Sequence, residues 1–190
     1  MDYRQDINDL LIKHRADDTR RRLYNAGPLA LPTIRRALRH ESAEVRWFAC
    51  GFLDHFLDEE ALPELIQRLN DEDARVRERA LHTLACERCK EGECRPGEEM
   101  YLPTVLKMLE SDPSPHVRRG AINLLFQVVH RSSQASAALE RARDEDLAPD
   151  VRAYAATRAP RGVMWRRTSP NPKDRRGLRT SNSRQRLTVK

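Results

Sequence analysis

The sequence reads as an all-α chain, an α-α superhelix of about four to five stacked helical hairpins, and three observations carry that reading. The composition is charge-coated: aromatic residues make up 5% of the 190 and charged residues 34%, with only 7 glycines. That balance fits a helical protein better than a β-sandwich and leaves no glycine-rich phosphate loop. An aliphatic-Pro step recurs along the chain, and so does a Val-x3-Ala-x3-Leu stripe. One pattern returning every few tens of residues marks a repeat architecture, and the length suffices for one domain with an apolar core.

The first element is an opening helix carrying Ile7, Leu10 and Leu11, followed by a weak second helix with Thr19 and Leu23. Three stronger units come next. Leu31-Pro32, Leu62-Pro63 and Leu102-Pro103 each open a first helix. Pro suits that place because its missing N–H would have no intrahelical partner in the first turn. Apolar residues follow two and six positions later, as Ile34/Leu38, Leu65/Leu69 and Val105/Leu109. After a polar turn, each second helix carries its stripe: Val45/Ala49/Leu53, Val76/Ala80/Leu84 and Val117/Ala121/Leu125. Spacings of four put these side chains on one helical face. The small Ala lets the two helices approach closely. A last, weaker copy begins with Val151/Ala155 and stops at Pro160-Arg161-Gly162. The Val-to-Val distances are 31, 41 and 34 residues, so one interval holds an insertion of about ten residues.

This pattern resembles the HEAT repeat, in particular the bacterial short-HEAT type first associated with phycobilisome lyases. The resemblance covers residues 28–157 well and 1–27 loosely, and it implies an armadillo-type solenoid over residues 1–160. An Asp stands six residues before the Arg of each second helix, as Asp71–Arg77, Asp112–Arg118 and Asp146–Arg152, with His40 in that place before Arg46. In the family these residues make a ladder linking the turns of adjacent units. That reading is preferred over a row of arginines meant for nucleic acid.

Hairpins of this kind bury their stripes by stacking, and the stack offers a long groove. Positions +2, +6, +9 and +13 from each Val lie opposite the stripe at about 100° per residue. Of these, Trp47, Asp54, Glu78, Arg119, Asn123, Phe126 and His130 are the candidate groove residues, in a row that also contains His82. Trp47 and Phe126 read either as anchors for a partner or as side chains folded over the ends of a short superhelix. The expected function is a non-catalytic protein–protein interaction scaffold, with another protein as partner. The resemblance also opens two enzymatic alternatives, a bilin-lyase-like and an alkylpurine-DNA-glycosylase-like activity. For the second, Trp47, Asp54 and Arg119 supply suitable residue types but match no motif. A groove that wraps DNA should moreover be positive.

The insertion, residues 86–97, carries Cys86-x2-Cys89-x4-Cys94 just after His82. Positions 82, 86 and 89 share one helical face. Three chemistries fit. His82, Cys86, Cys89 and Cys94 could hold a structural Zn2+, and His55 or His130 could replace His82 by repeat alignment. The thiols could instead be free or redox-active beside Arg88, Lys90 and Arg95. An iron–sulfur cluster is the third, short of a fourth nearby cysteine. Cys50 falls on core-facing positions and reads as a small buried hydrophobe.

The net charge of +6 is unevenly placed. Residues 158–190 hold 11 Lys/Arg against Asp174 alone, which leaves 24 basic and 28 acidic side chains in residues 1–157. The body is mildly acidic, and residues 161–190 read as a basic disordered tail. Such a tail has the charge to hold nucleic acid or an acidic partner; the plainer alternative is an extension without a role. Crowding three of four cysteines into nine residues is unlike a disulfide framework. With no signal pattern and no run near the ~18 apolar residues of a membrane span, a cytoplasmic location without membrane contact is expected.

Overall fold

The computed structural model describes residues 3–12, 15–56, 58–86 and 96–176, and over these the chain is all-α. Helices pair as hairpins: α1 (Arg4–Asp9) with α2 (Ala16–Ala26), and α3 (Leu31–Ala37) with α4 (Ala43–His55). Next come α5 (Leu62–Gln67) with α6 (Ala74–Ala85), α7 (Glu98–Ser111) with α8 (Pro115–Phe126), and α9 (Ser133–Glu145) with α10 (Pro149–Arg158). A short α11 (Val163–Thr168) follows. The second helices stack in the order α4, α6, α8, α10, while α1 lies on α3 and α7 on α9. This is the stacked-hairpin solenoid the repeat implies.

Every stripe position is inside. Val45, Ala49, Val76, Ala80, Val117, Ala121, Leu125, Val151 and Ala155 are wholly buried, and Leu53 and Leu84 nearly so. The first-helix residues Ile34, Leu38, Leu65, Leu69, Val105 and Leu109 join the same continuous core. A fully buried aliphatic side chain contributes roughly 1.5–3 kcal/mol relative to exposure, so this repeated stripe is the main force holding the stack. The aromatics add a local cluster. Tyr24 on α2 meets Phe48 and Phe52 of α4 at centroid distances of 5.9 and 5.3 Å, and Phe52 meets Phe56 at 4.7 Å.

One boundary differs from expectation. Pro32 and Pro63 sit in the first turn of α3 and α5, each preceded by a short 3-10 segment, Gly27–Ala30 or Glu59–Ala61. The third unit begins earlier, at Glu98, so Pro103 lies inside α7. There the lead-in turn is α-helical and continuous with the helix. Pro103 is still close enough to the start that only the bond to the carbonyl four residues back is given up.

The polar ladder runs along the inter-hairpin turns. Arg46 grips Asp71, Arg77 grips Asp112 and Arg118 grips Asp146, each through Nε and Nη2 at 2.7–2.9 Å. Each of these carboxylates belongs to the next unit. The same arginines donate from Nη1 to the carbonyl of residue 40, 71 or 112 in their own turn, and Arg152 does so to Asp146. The aspartates in turn accept the backbone N–H two residues on, at Asp73, Ser114 and Ala148. At the first rung His40 Nδ1 accepts from Ser42 N–H in the aspartate's place. A guanidinium needs this planar, bidentate partner to be buried at low cost.

The basic segment after residue 160 is structured at its start, in contrast to the expected disorder. Residues 163–168 form α11, and Pro172–Arg175 a 3-10 turn. Arg161 turns the chain with φ of 69°. Gly162 then passes so close to Ala156 and Thr157 that a Cβ there would come within 2.4 Å of a carbonyl oxygen. Trp165 packs against the core, with its ring 5.0 Å from that of His130. Trp165 and the packing of α11 on α10 thus seat a segment whose overall composition reads as unfolded. Residues 177–190 lie outside the described residues. No described helix is long and apolar enough to cross a membrane.

Candidate functional site

The exposed faces of the second helices form two clefts on either side of α6. The larger, about 730 Å³, is lined by Glu78, His82, Ala85, Arg119, Asn123, Phe126 and His130, all from the row expected opposite the stripe. The smaller, about 410 Å³, contains Trp47 and Gly51 beneath Arg20, Arg75 and Arg79. The expected groove is therefore divided, with its two large aromatics in different clefts.

Each aromatic is half-buried and attended by a guanidinium. Arg79 lies over Trp47 at 5.5 Å, and Arg158 lies 5.9 Å from Phe126. Arg158 also stacks on Tyr154 at 3.6 Å, and Arg119 stacks on that ring at 4.7 Å. Burial, with the neighbouring Arg119 charge, pulls the Arg158 guanidinium below its ordinary pKa, against the opposing effect of Tyr154. Arg119 faces Asp150 at 3.6 Å. The Tyr154 hydroxyl donates to Asn123 Oδ1 at 2.7 Å, so a residue from the last hairpin sets the amide in the cleft. His130 is committed differently: its Nε2 lies 2.9 Å from Thr168 Oγ1 on α11. Burial lowers the His130 pKa, with Asp174 acting the other way.

Several lining residues escaped the single-row pattern. Arg79, Gly120 and Tyr154 stand three positions after their Val, and Cys86 and Gln127 ten positions after. The open face is one residue wider than the row, and residues bordering a helical stripe at +3 and +10 would have found them.

Asp54 is the exception among the groove residues. It was expected on the open face but is only 4% exposed. The close stacking of α6 on α4 covers it, and His82 Nε2 lies 3.3 Å from Asp54 Oδ2. The other oxygen, Asp54 Oδ1, is buried without a hydrogen-bond partner among the described residues. Cys86, just past the end of α6, completes a trio whose ligating atoms all lie within 4.8 Å of one another. Of the expected zinc quartet, His82 and Cys86 are thus brought together, while Cys89 and Cys94 lie outside the described residues. His55 and His130 are not in this cluster. Cys50 is wholly buried, and desolvation pushes its thiol pKa up to about 12, as a core cysteine should show. The three residues weighed for glycosylase chemistry are dispersed: Trp47 in one cleft, Arg119 in the other, and Asp54 beneath the surface.

A family model for HEAT repeats matches residues 9–85 and again residues 63–159. No curated protein matches the chain.

Proposed function

Because the chain belongs to the HEAT-repeat family, we propose that it is a non-catalytic scaffold that binds a segment of another protein along its second-helix face. The observation that carries this reading is the larger cleft. It joins an apolar anchor point, Phe126, to polar groups from three hairpins that are held in place before any ligand arrives. Prearranged polar groups around a half-buried aromatic are what a specific protein contact uses.

The charge of the clefts argues for an acidic segment. Arg79 overlooks the smaller cleft with its Nε unpaired among the described residues, beside Arg20 and Arg75, which pair with Asp17, Glu44 and Asp73. Arg119 and Arg158 stack beside the larger, and Arg158 has no carboxylate partner among the described residues. A desolvated guanidinium gains most from a carboxylate arriving on the ligand.

Affinity capture with the full chain tests this, comparing wild type with Trp47→Ala and Phe126→Ala. Both variants should keep native helicity and thermal unfolding yet lose the bound protein. An unchanged set of captured proteins in both folded variants would show that the partner surface lies elsewhere.

A further inference from the structure

We propose that Asp54, His82 and Cys86 form a transition-metal site, with Zn2+ the fitting ion, that joins the second hairpin to the third. The site goes beyond the groove reading and does not depend on it. Its distinctive member is Asp54. A metal held wholly by the Cys-rich insertion and the helix before it would stay inside one unit. A site that includes Asp54 crosses from α4 to α6.

Three observations converge on it. The first is the donor set: one imidazole nitrogen, one carboxylate oxygen and one cysteine sulfur gathered within 4.8 Å. Mixed N, O and S donors suit zinc, whereas magnesium and calcium take oxygen shells.

The second is geometry. Zinc holds nitrogen and oxygen ligands at ~2.0–2.2 Å, so two such ligands on adjacent corners of a tetrahedron stand about 3.3 Å apart. His82 Nε2 and Asp54 Oδ2 are 3.3 Å apart. His82 and Cys86 are four residues apart at the C-terminal end of α6, a spacing that projects both side chains from one face.

The third is Asp54 itself. Its side chain is 6% exposed, whereas that of His82 is 56% exposed. One carboxylate oxygen is buried with no hydrogen-bond partner among the described residues. A buried polar atom left in that state calls for a reason, and a bound cation is one. A simple Asp–His ion pair would account for Oδ2 but would leave Oδ1 orphaned. A divalent ion supplies charge to the whole carboxylate, and the sulfur of Cys86 stands within reach of it. The fourth corner of the tetrahedron falls to a donor outside this trio.

The test uses the full chain, stripped with a chelator and titrated with Co2+ as the spectroscopic probe. Wild type should bind about one ion per chain and show thiolate-to-cobalt absorption. Cys86→Ser should lose that absorption. Asp54→Asn and His82→Gln should each weaken Co2+ binding by more than the ~10–100-fold typical of losing an outer-shell partner. His82 is exposed enough for its variant to fold, and circular dichroism checks both. Three results would overturn the proposal: no Co2+ binding by wild type, an affinity and spectrum unchanged in His82→Gln, or the same in folded Asp54→Asn.

Discussion

The Arg46 guanidinium and the Asp71 carboxylate meet edge to edge across a hairpin junction, Nε to Oδ2 at 2.7 Å and Nη2 to Oδ1 at 2.8 Å. Their side chains are 6% and 1% exposed, so neither charge has water to fall back on. The net worth of such a pair is small because desolvation offsets attraction, but removing Arg46 leaves a buried carboxylate held only by Arg68 Nη1 at 3.1 Å and the Asp73 N–H. Arg46→Ala should therefore destabilise by ~3–5 kcal/mol, read as a lower urea midpoint at similar slope. Arg46→Lys should recover little of that loss, because an ammonium cannot reproduce the two parallel bonds. A loss under about 1 kcal/mol, the range of exposed pairs, would mean that the rung carries no structural load.

Acid should act through the same rungs. Burial alone would raise the Asp71 carboxyl, but the Arg46 guanidinium and the Asp73 N–H together hold it below its ordinary value. Asp146 is depressed in the same way by Arg118 and the Ala148 N–H, against its own burial. A carboxyl lowered in the fold contributes stability above its unfolded value, ~3.9, and that contribution is lost as pH falls through the folded value. Urea midpoints taken from about pH 6 to about pH 2 should fall steeply below pH ~4. Asp71→Asn should start lower and show a shallower fall. An equal acid slope in wild type and variant would remove Asp71 from the account.

The aromatic cluster at the first junctions should be sensitive to truncation. Phe52 is wholly buried and touches Tyr24, Phe48 and Phe56. Phe52→Ala should cost ~3–5 kcal/mol and Phe52→Leu distinctly less, since a leucine refills part of the cavity. Equal losses in thermal unfolding would argue that the site collapses freely around either side chain.

Docking of α11 should weaken in mild acid. Partial desolvation disfavours the charged form of His130, whose ring lies 5.0 Å from that of Trp165, against the opposing charge of Asp174. Docking is then fully supported above the free value, ~6.5, and weakens as pH falls through the docked value. In a Trp47→Phe background, Trp165 fluorescence should move toward that of an exposed indole as the pH drops below ~6.5. The shift should be absent in His130→Gln. Identical titrations with and without the imidazole would refute the link.

How legible was this molecule from sequence? The hairpins were, because Val-x3-Ala-x3-Leu reports a 3.6-residue period directly and each of its strong copies is buried. The ladder was legible too, since Asp and Arg stand at a constant spacing. The first helix of the last hairpin was not. Its buried residues are Ala135, Ala138, Leu139 and Ala142, and no Pro step announces it. An alanine stripe carries too little contrast for pattern reading. The start of the tail was obscure for the opposite reason: a basic, polar stretch is held by a few contacts, among them the Trp165 ring and the His130–Thr168 hydrogen bond, that composition does not register. In the candidate site, His82 and Cys86 were placed together by helical spacing. The burial of Asp54 is not legible in this way, because single-helix periodicity does not register the helix stacked over it.

The wiring of the ladder bears on how an array like this changes length over generations. Each full unit supplies one carboxylate to the unit before it and one guanidinium to the unit after, and the two stand six residues apart in its own turn. Copying or excising a whole unit therefore rejoins matching halves and orphans no charge. The ends are not equivalent. His40 offers an imidazole where a carboxylate would be needed to accept an upstream arginine, whereas Arg152 keeps the donor. New units can be spliced in among the laddered hairpins or appended after Arg152, whereas the α1–α2 hairpin, already ahead of His40, is joined through Arg20 and Glu44 instead.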